Sequence, residues 1–159
     1  MTTPPEFDAA CALAHGTVQP AADGRAVVAV FDSPVAAHLL HFAATLGYRV
    51  ALADPDLTGV AVDAETDVVV TDHDRPELGL VLRDALTTPA RWIGVMGSPR
   101  HAGPHVEALR GLGVSEDEIA RVHRPIGLNI GSKTPAEIAL ATLAGLLADR
   151  NGRPGGTAF

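Results

Sequence analysis

The stretch AVVAVFDSPVAAHLLHFAATLGYRVALADPD, residues 26–56, decides how the rest of the chain is read. Ala26 to Phe31 is a continuous run of small and β-branched apolar residues, the pattern of a strand buried on both faces of a parallel sheet. From Pro34 to Leu46 the period changes: Val35, Leu39, Phe42 and Leu46 recur at helical spacing. Ser33 is placed to cap that helix, Pro34 to occupy its first turn and Gly47 to end it. Tyr48 to Ala53 then reads as a second strand, left through the turn-rich residues Asp54 to Gly59. Strand, helix and strand in this order make one βαβ unit.

The same alternation continues outward. A third strand is expected over Asp67–Thr71, followed by an amphipathic helix over Glu77–Leu86. A fourth strand is expected over Arg91–Met96, followed by a helix containing Val106, Leu109 and Leu112. GVSEDEIARVH, residues 113–123, reads as a short helix with Ser115 and Glu118 as a capping box. The last helix is expected from about Pro135 to Asp149, with Thr134 as N-cap, Pro135 at N1 and Glu137 at N3. The fold class this implies is α/β: a single doubly wound, Rossmann-like domain with a mostly parallel sheet over residues 25–150. Residues 1–24 read as a loosely ordered segment with a helical turn or two, and residues 151–159 as a flexible tail.

Composition narrows the function classes. The chain has 159 residues, 47% of them apolar, enough to bury a core. A formal net charge of −7 argues against nucleic acid, because phosphate contacts need a basic face. No apolar run approaches a membrane span and the start lacks the basic and long apolar stretches of a signal peptide, so the expected location is the cytoplasm. One cysteine, Cys11, excludes an internal disulfide framework and a multi-cysteine zinc site. The histidine sets His38 with His41, His101 with His105, and Asp72-His73-Asp74 lack the spacing of a zinc enzyme, and no serine occupies a nucleophile elbow. No metal and no catalytic residue is therefore assigned.

In a doubly wound sheet the ligand sits at the carboxyl ends of the strands. A dinucleotide site there needs glycines at the first turn, where this chain has Phe31, Asp32, Ser33 and Ala36. Phe31 crowds the turn and Asp32 opposes phosphate; alternatively, Asp32 or Ser33 caps the helix. Asp54 stands where such folds hold a ribose hydroxyl, although Asp-Pro after a strand is also an ordinary turn. Gly97, Ser98 and Arg100 combine backbone donors, a hydroxyl and a guanidinium, which suits an anion site or a plain capped turn. Gly127, Lys133 and Thr134 stand at the spacing of a phosphate loop, but Ser132 replaces the glycine before the lysine and Pro135 follows. That segment reads as a Gly-rich loop into a capped helix that still suits a phosphate.

ARWIGVMGSPRH and RPIGLNIGSKTPAEIA, residues 90–101 and 124–139, resemble the C-terminal Rossmann domain of the XdhC/CoxI family. That family's patterns are a YIGLLGSRRK-like strand end and a later PIGLDIGAKTPEEIA. The likeness runs from about Ala26 to Arg150. It implies an accessory factor for molybdenum hydroxylases such as xanthine dehydrogenase or carbon monoxide dehydrogenase. Such a factor binds molybdenum cofactor during sulfuration and delivers it to the apoenzyme, as a homodimer, with a cysteine desulfurase as a further partner. The positions that match the family's motifs are Asp54, Gly97, Ser98, Arg100, Gly131, Lys133 and Thr134, with Pro125, Gly127, Pro135 and Glu137 completing the second motif; Asp32 and Ser33 of the first turn join the first seven in the candidate cofactor-binding set. The first turn departs from the family's Gly-Ala-Gly-His loop, and Pro99-Arg100-His101 replaces its basic pair. Two other readings stay open: an NAD(P)-dependent oxidoreductase, and a ligand-free interaction module.

Overall fold

The structure is a computed structural model that describes residues 9–16, 23–100 and 103–157. After a short helix α1 (Ala9–Ala14), the chain runs β1 (Ala26–Val30), α2 (Pro34–Thr45), β2 (Arg49–Ala53), β3 (Thr66–Val70), α3 (Leu78–Leu86), β4 (Trp92–Val95), α4 (Pro104–Gly111), α5 (Glu116–Ile119), β5 (Val122–His123) and α6 (Pro135–Arg150). The strands form one sheet in the order β2-β1-β3-β4-β5, and every pairing is parallel. The expected mostly parallel sheet is thus wholly parallel among the described residues.

The apolar run that opened the reading lies at the centre. Every β1 residue is buried, and alternate side chains feed two cores. Val28 and Val30 join Val68, Val70, Leu82 and Leu109 on one face, whereas Val27 and Ala29 join Leu39, Ala43, Leu143 and Leu146 on the other. Helix α2 packs on α6 over the second face, and α3 packs on α4 over the first. Parallel strands need long crossovers, and the helices that make them cover both faces.

Two expectations need correction. Residues 122–123, read as the end of a helix, form β5, with Ile93 opposite Val122 and Gly94 opposite His123. A two-residue strand leaves no period to read, and sheet pairing overrides local preference there. The second is the capping box at α5. Ser115 Oγ accepts the Glu118 N–H at 3.3 Å, but the Glu118 carboxylate turns to Arg121 at 2.7 Å and does not reach back. At α6 the expected box is complete.

Beneath the amino ends of the strands, Asp67 is 0% exposed and is met by Arg91 Nε at 2.7 Å and Arg150 Nε at 3.1 Å. This pairing ties the end of α6 to the start of β3. Burial pushes the Asp67 carboxyl up, against the two guanidiniums that favour its charge. Past α6 the chain folds back, with the Arg153 N–H on the Ala148 carbonyl at 2.8 Å.

Candidate functional site

The first turn keeps the backbone of a glycine turn without its glycine. Phe31 has φ 72, in the left-handed region, and its ring is fully buried beneath the Arg75 guanidinium, 4.5 Å from the ring centroid. A non-glycine residue in that conformation costs about 1–2 kcal/mol. Burying a phenylalanine ring offsets that, since truncating one in a core costs about 3–5 kcal/mol. The residue that crowds the turn in sequence is a core residue in the fold.

Ser33 Oγ accepts the Ala36 N–H at 3.0 Å as the N-cap of α2, and it shares a hydrogen bond of 2.9 Å with Thr71 Oγ1. Thr71 in turn lies 3.0 Å from the carbonyls of Val30 and Phe31. Strands β1 and β3 flank the point where the strand order reverses, the crevice in which open α/β sheets hold dinucleotides. Here a hydroxyl pair bridges it.

Asp54 faces the same crevice and is engaged on both oxygens. Its Oδ2 accepts the Asp32 N–H at 2.9 Å, and Arg75 forks onto it with Nη2–Oδ1 at 2.8 Å and Nη1–Oδ2 at 3.2 Å. Arg75 also meets Glu77 at 3.3 Å. The Arg75 hydrogen bond, followed by the Asp32 N–H, holds the Asp54 carboxyl below its ordinary value. A ribose hydroxyl would have to compete with a guanidinium for this carboxylate.

The end of β4 is built differently. Gly97 and Ser98 leave the strand, and Arg124, just past β5, reaches across to them: its Nη2 donates to the Ser98 carbonyl at 3.1 Å. A Cβ at Gly97 would collide with the Arg124 guanidinium. At Gly103, the N-cap of α4, a Cβ would stand 2.5 Å from His105 Nδ1 and 2.8 Å from Arg124 Nη1. Both residues must therefore be glycine for the guanidinium to lie against the backbone. His105 is 6% exposed, and burial, then the charge of Arg124, pull its imidazole below the ordinary value. Arg124 Nε, Arg124 Nη1 and His105 Nδ1 are buried without a hydrogen-bond partner. Each such group costs about 1–3 kcal/mol while it stays unpaired. Among the described residues Arg91 and Arg150 share Asp67, and Arg100 and Arg153 are exposed. Arg124 is the arginine whose buried N–H groups face no carboxylate. Ser98 Oγ accepts the Arg100 N–H at 3.2 Å.

The third group answers the phosphate-loop reading. The Glu137 carboxylate accepts the Lys133 N–H at 2.8 Å and the Thr134 N–H at 3.2 Å, and Thr134 Oγ1 accepts the Glu137 N–H at 3.3 Å. The protein's own carboxylate thus takes the backbone donors that a phosphate would use at this helix start. Gly131, at φ 70, serves an open turn, and Lys133 is exposed. Gly127, at φ 85, lies against the α6 backbone with no room for a side chain, and Gly145 opposes it from the helix. The Pro125-Ile126-Gly127 motif is a backbone-to-backbone joint.

The structure therefore gathers Asp32, Ser33 and Asp54 into one group and Gly97, Ser98 and Arg100 into a second, with Gly131, Lys133 and Thr134 in a third; no hydrogen bond links the three among the described residues. Sequence reasoning missed Thr71, Arg75 and Arg124, and weighed His105 only for metal. The one signal for Arg124 was its place beside the Pro-Ile-Gly motif. His101 lies outside the described residues. Among those residues no three His, Cys, Asp or Glu side chains are grouped to hold a metal ion, and no helix is long and apolar enough to cross a membrane. A pocket of about 250 Å³ lies apart from these groups, between the stacked rings of Trp92 and His123 and the end of α6.

A five-stranded parallel sheet with helices on both faces and its polar loops at the strands' carboxyl ends defines a Rossmann-like domain. Within that class the chain belongs to the XdhC Rossmann domain family, whose profile matches residues 27–146. It is 38% identical over 89 residues to the uncharacterized protein YqeB of Escherichia coli (strain K12), a match covering 56% of this chain and 16% of that protein. A solved structure from Bacillus halodurans, described as a xanthine dehydrogenase, has the same fold with a TM-score of 0.65 at 18% identity; the match covers 85% of this chain and 45% of that one. The chain thus spans less than half the length of either.

Proposed function

We propose that this chain is an XdhC-type accessory protein that carries molybdenum cofactor to the apoenzyme of a molybdenum hydroxylase of the xanthine or carbon monoxide dehydrogenase type. It works as a carrier, without turnover of its own, in the cytoplasm and as a homodimer, with a cysteine desulfurase as a second partner. Membership of the XdhC Rossmann domain family supports the client class, as does the description of the Bacillus halodurans protein as a xanthine dehydrogenase.

The observation that carries the reading is a contrast along the carboxyl edge of the sheet. The dinucleotide crevice is bridged by Ser33 and Thr71, with Asp54 committed to Arg75, whereas the ends of β4 and β5 hold a buried guanidinium and imidazole with donors to spare. Molybdenum cofactor is a pterin with a phosphate arm, and a phosphate matches these donors in charge and hydrogen bonding. Arg124 and His105 would hold that arm beside Gly97 and Ser98. The bound molybdenum supplies the redox chemistry of the client enzyme; this chain binds, orients and shields the carrier form. An NAD(P)-dependent oxidoreductase would need the crevice that Ser33 and Thr71 bridge here.

The test mixes the purified chain with cofactor released from a hydroxylase and measures molybdenum and oxidised pterin retained after gel filtration. NAD and NADP are titrated in parallel. Retention of both molybdenum and pterin, with transfer to apoenzyme, is the expected result. Binding of NAD with no retention of cofactor would overturn the proposal.

A further inference from the structure

The orphaned donors at the start of α4 point to more than a general attraction for anions. We propose that Gly103, His105 and Arg124 form a subsite for one terminal phosphate, a phosphomonoester, and that the bridged first turn denies the chain an internal diphosphate of the dinucleotide kind. The subsite deepens the carrier reading by naming the phosphate it takes, but its geometry stands without that reading.

Three observations converge. Helix α4 begins at Gly103 without a side-chain cap: Pro104 brings no N–H and the Val106 N–H turns back to the Gly103 carbonyl at 3.2 Å, which leaves the His105 N–H without a side-chain partner. By contrast, Ser33 caps α2 and the Thr134–Glu137 box closes α6. Next, His105 Nδ1 and Arg124 Nη1 both approach the side of Gly103 where a Cβ is absent, at 2.5 and 2.8 Å from that point. A guanidinium N–H and an unpartnered imidazole nitrogen, from two elements, thus meet at one helix start. Finally, the guanidinium keeps Nε and Nη1 unpaired although both are buried. Buried N–H groups without a partner are costly, and an anion seated there answers them. A terminal phosphate offers three oxygens to such a cluster, whereas a bridging diphosphate needs a longer row of backbone donors, which the first turn supplies in dinucleotide-binding domains.

The experiment titrates the whole chain with inorganic phosphate, AMP and NAD, reading ³¹P line width and the thermal unfolding midpoint. Phosphate and AMP are expected to bind and raise the midpoint, while NAD, which has no terminal phosphate, leaves it unchanged. Arg124→Met and Gly103→Ala should each weaken phosphate binding at least tenfold, and Arg124→Lys should restore part of it. In phosphate-free buffer Arg124→Met should be no less stable than the parent, an outcome that a purely structural arginine would not give. NAD bound as tightly as AMP, or phosphate binding untouched by Arg124→Met, would overturn the proposal; if Arg124→Met does not fold, Gly103→Ala decides alone. Retained cofactor without phosphate binding would sink the subsite and leave the carrier, and phosphate binding without retained cofactor would do the reverse.

Discussion

Replacing Phe31 with glycine restores the residue that a dinucleotide turn normally carries, and the structure predicts that the fold loses by it. The ring is fully buried in the core that also holds Val30, Val70 and Leu82. Removing it costs about 3–5 kcal/mol in transfer and cavity terms. Relief of the left-handed strain at φ 72 returns about 1–2 kcal/mol, because glycine adopts that conformation freely. Loss of the Arg75 stacking contact subtracts a further ~0.5–1 kcal/mol. The net destabilisation is about 2–4 kcal/mol, against a domain stability of about 5–15 kcal/mol, so the variant still folds. With a urea slope of roughly 2 kcal/mol per molar, the midpoint should drop by about 1–2 M. NAD affinity, measured by calorimetry on the same sample, should stay undetectable, because the Ser33–Thr71 bridge and the Asp54–Arg75 fork are untouched. A Phe31→Gly variant as stable as the parent would refute the reasoning, since strain would then outweigh the buried ring.

Other outcomes follow from the same structure. Arg75→Met should let the Asp54 carboxyl titrate closer to its ordinary value, read by NMR; an unmoved titration would show that the Asp32 N–H alone holds it. Gly127→Val should cost at least about 2 kcal/mol through its positive φ and its contact with α6, and an unchanged unfolding midpoint would remove that joint from the account. Hydrogen bonds hold Asp54, Asp63, Glu77, Glu116 and Glu137 below their ordinary values, so the stability they contribute is present above the unfolded carboxylate range and lost as pH falls through their folded values. Asp67 acts oppositely: its raised value makes ionisation unfavourable, so stability falls as pH rises from the ordinary value through the folded one. Urea midpoints measured against pH should therefore fall just above the ordinary carboxylate range in the parent and stay level there in Asp67→Asn.

The βαβ unit of residues 26–53 was legible because its apolar residues keep two clear periods and its cap, proline and stop glycine stand where helix ends require them. The Thr134–Glu137 box was legible for the same reason: it is a contact between near neighbours. β5 was not, because two residues carry no period and their pairing with β4 is decided by the sheet. The partners that define the site were hidden more deeply. Arg75 lies 21 residues from Asp54, and Arg124 lies 26 from Ser98, and nothing local marks which arginine will turn inward. Phe31 was visible as an obstacle, but whether a bulky residue at a turn blocks a ligand or fills a core depends on the elements packed around it.

The strand order has a consequence for synthesis on the ribosome. β1 lies between β2 and β3, and the α2 face that buries Ala36, Leu39 and Ala43 is covered by α6, the last helix of the sheet. When residues 26–53 have emerged, one edge of β1 and the apolar side of α2 are both uncovered, and they stay so until residues 66–70 and then 135–150 are made. An unpaired strand edge beside an apolar helix face is the surface that holding chaperones recognise and that aggregation exploits. Nascent chains halted between Ala53 and Thr134 should thus depend on such chaperones, and chains released past Arg150 should not.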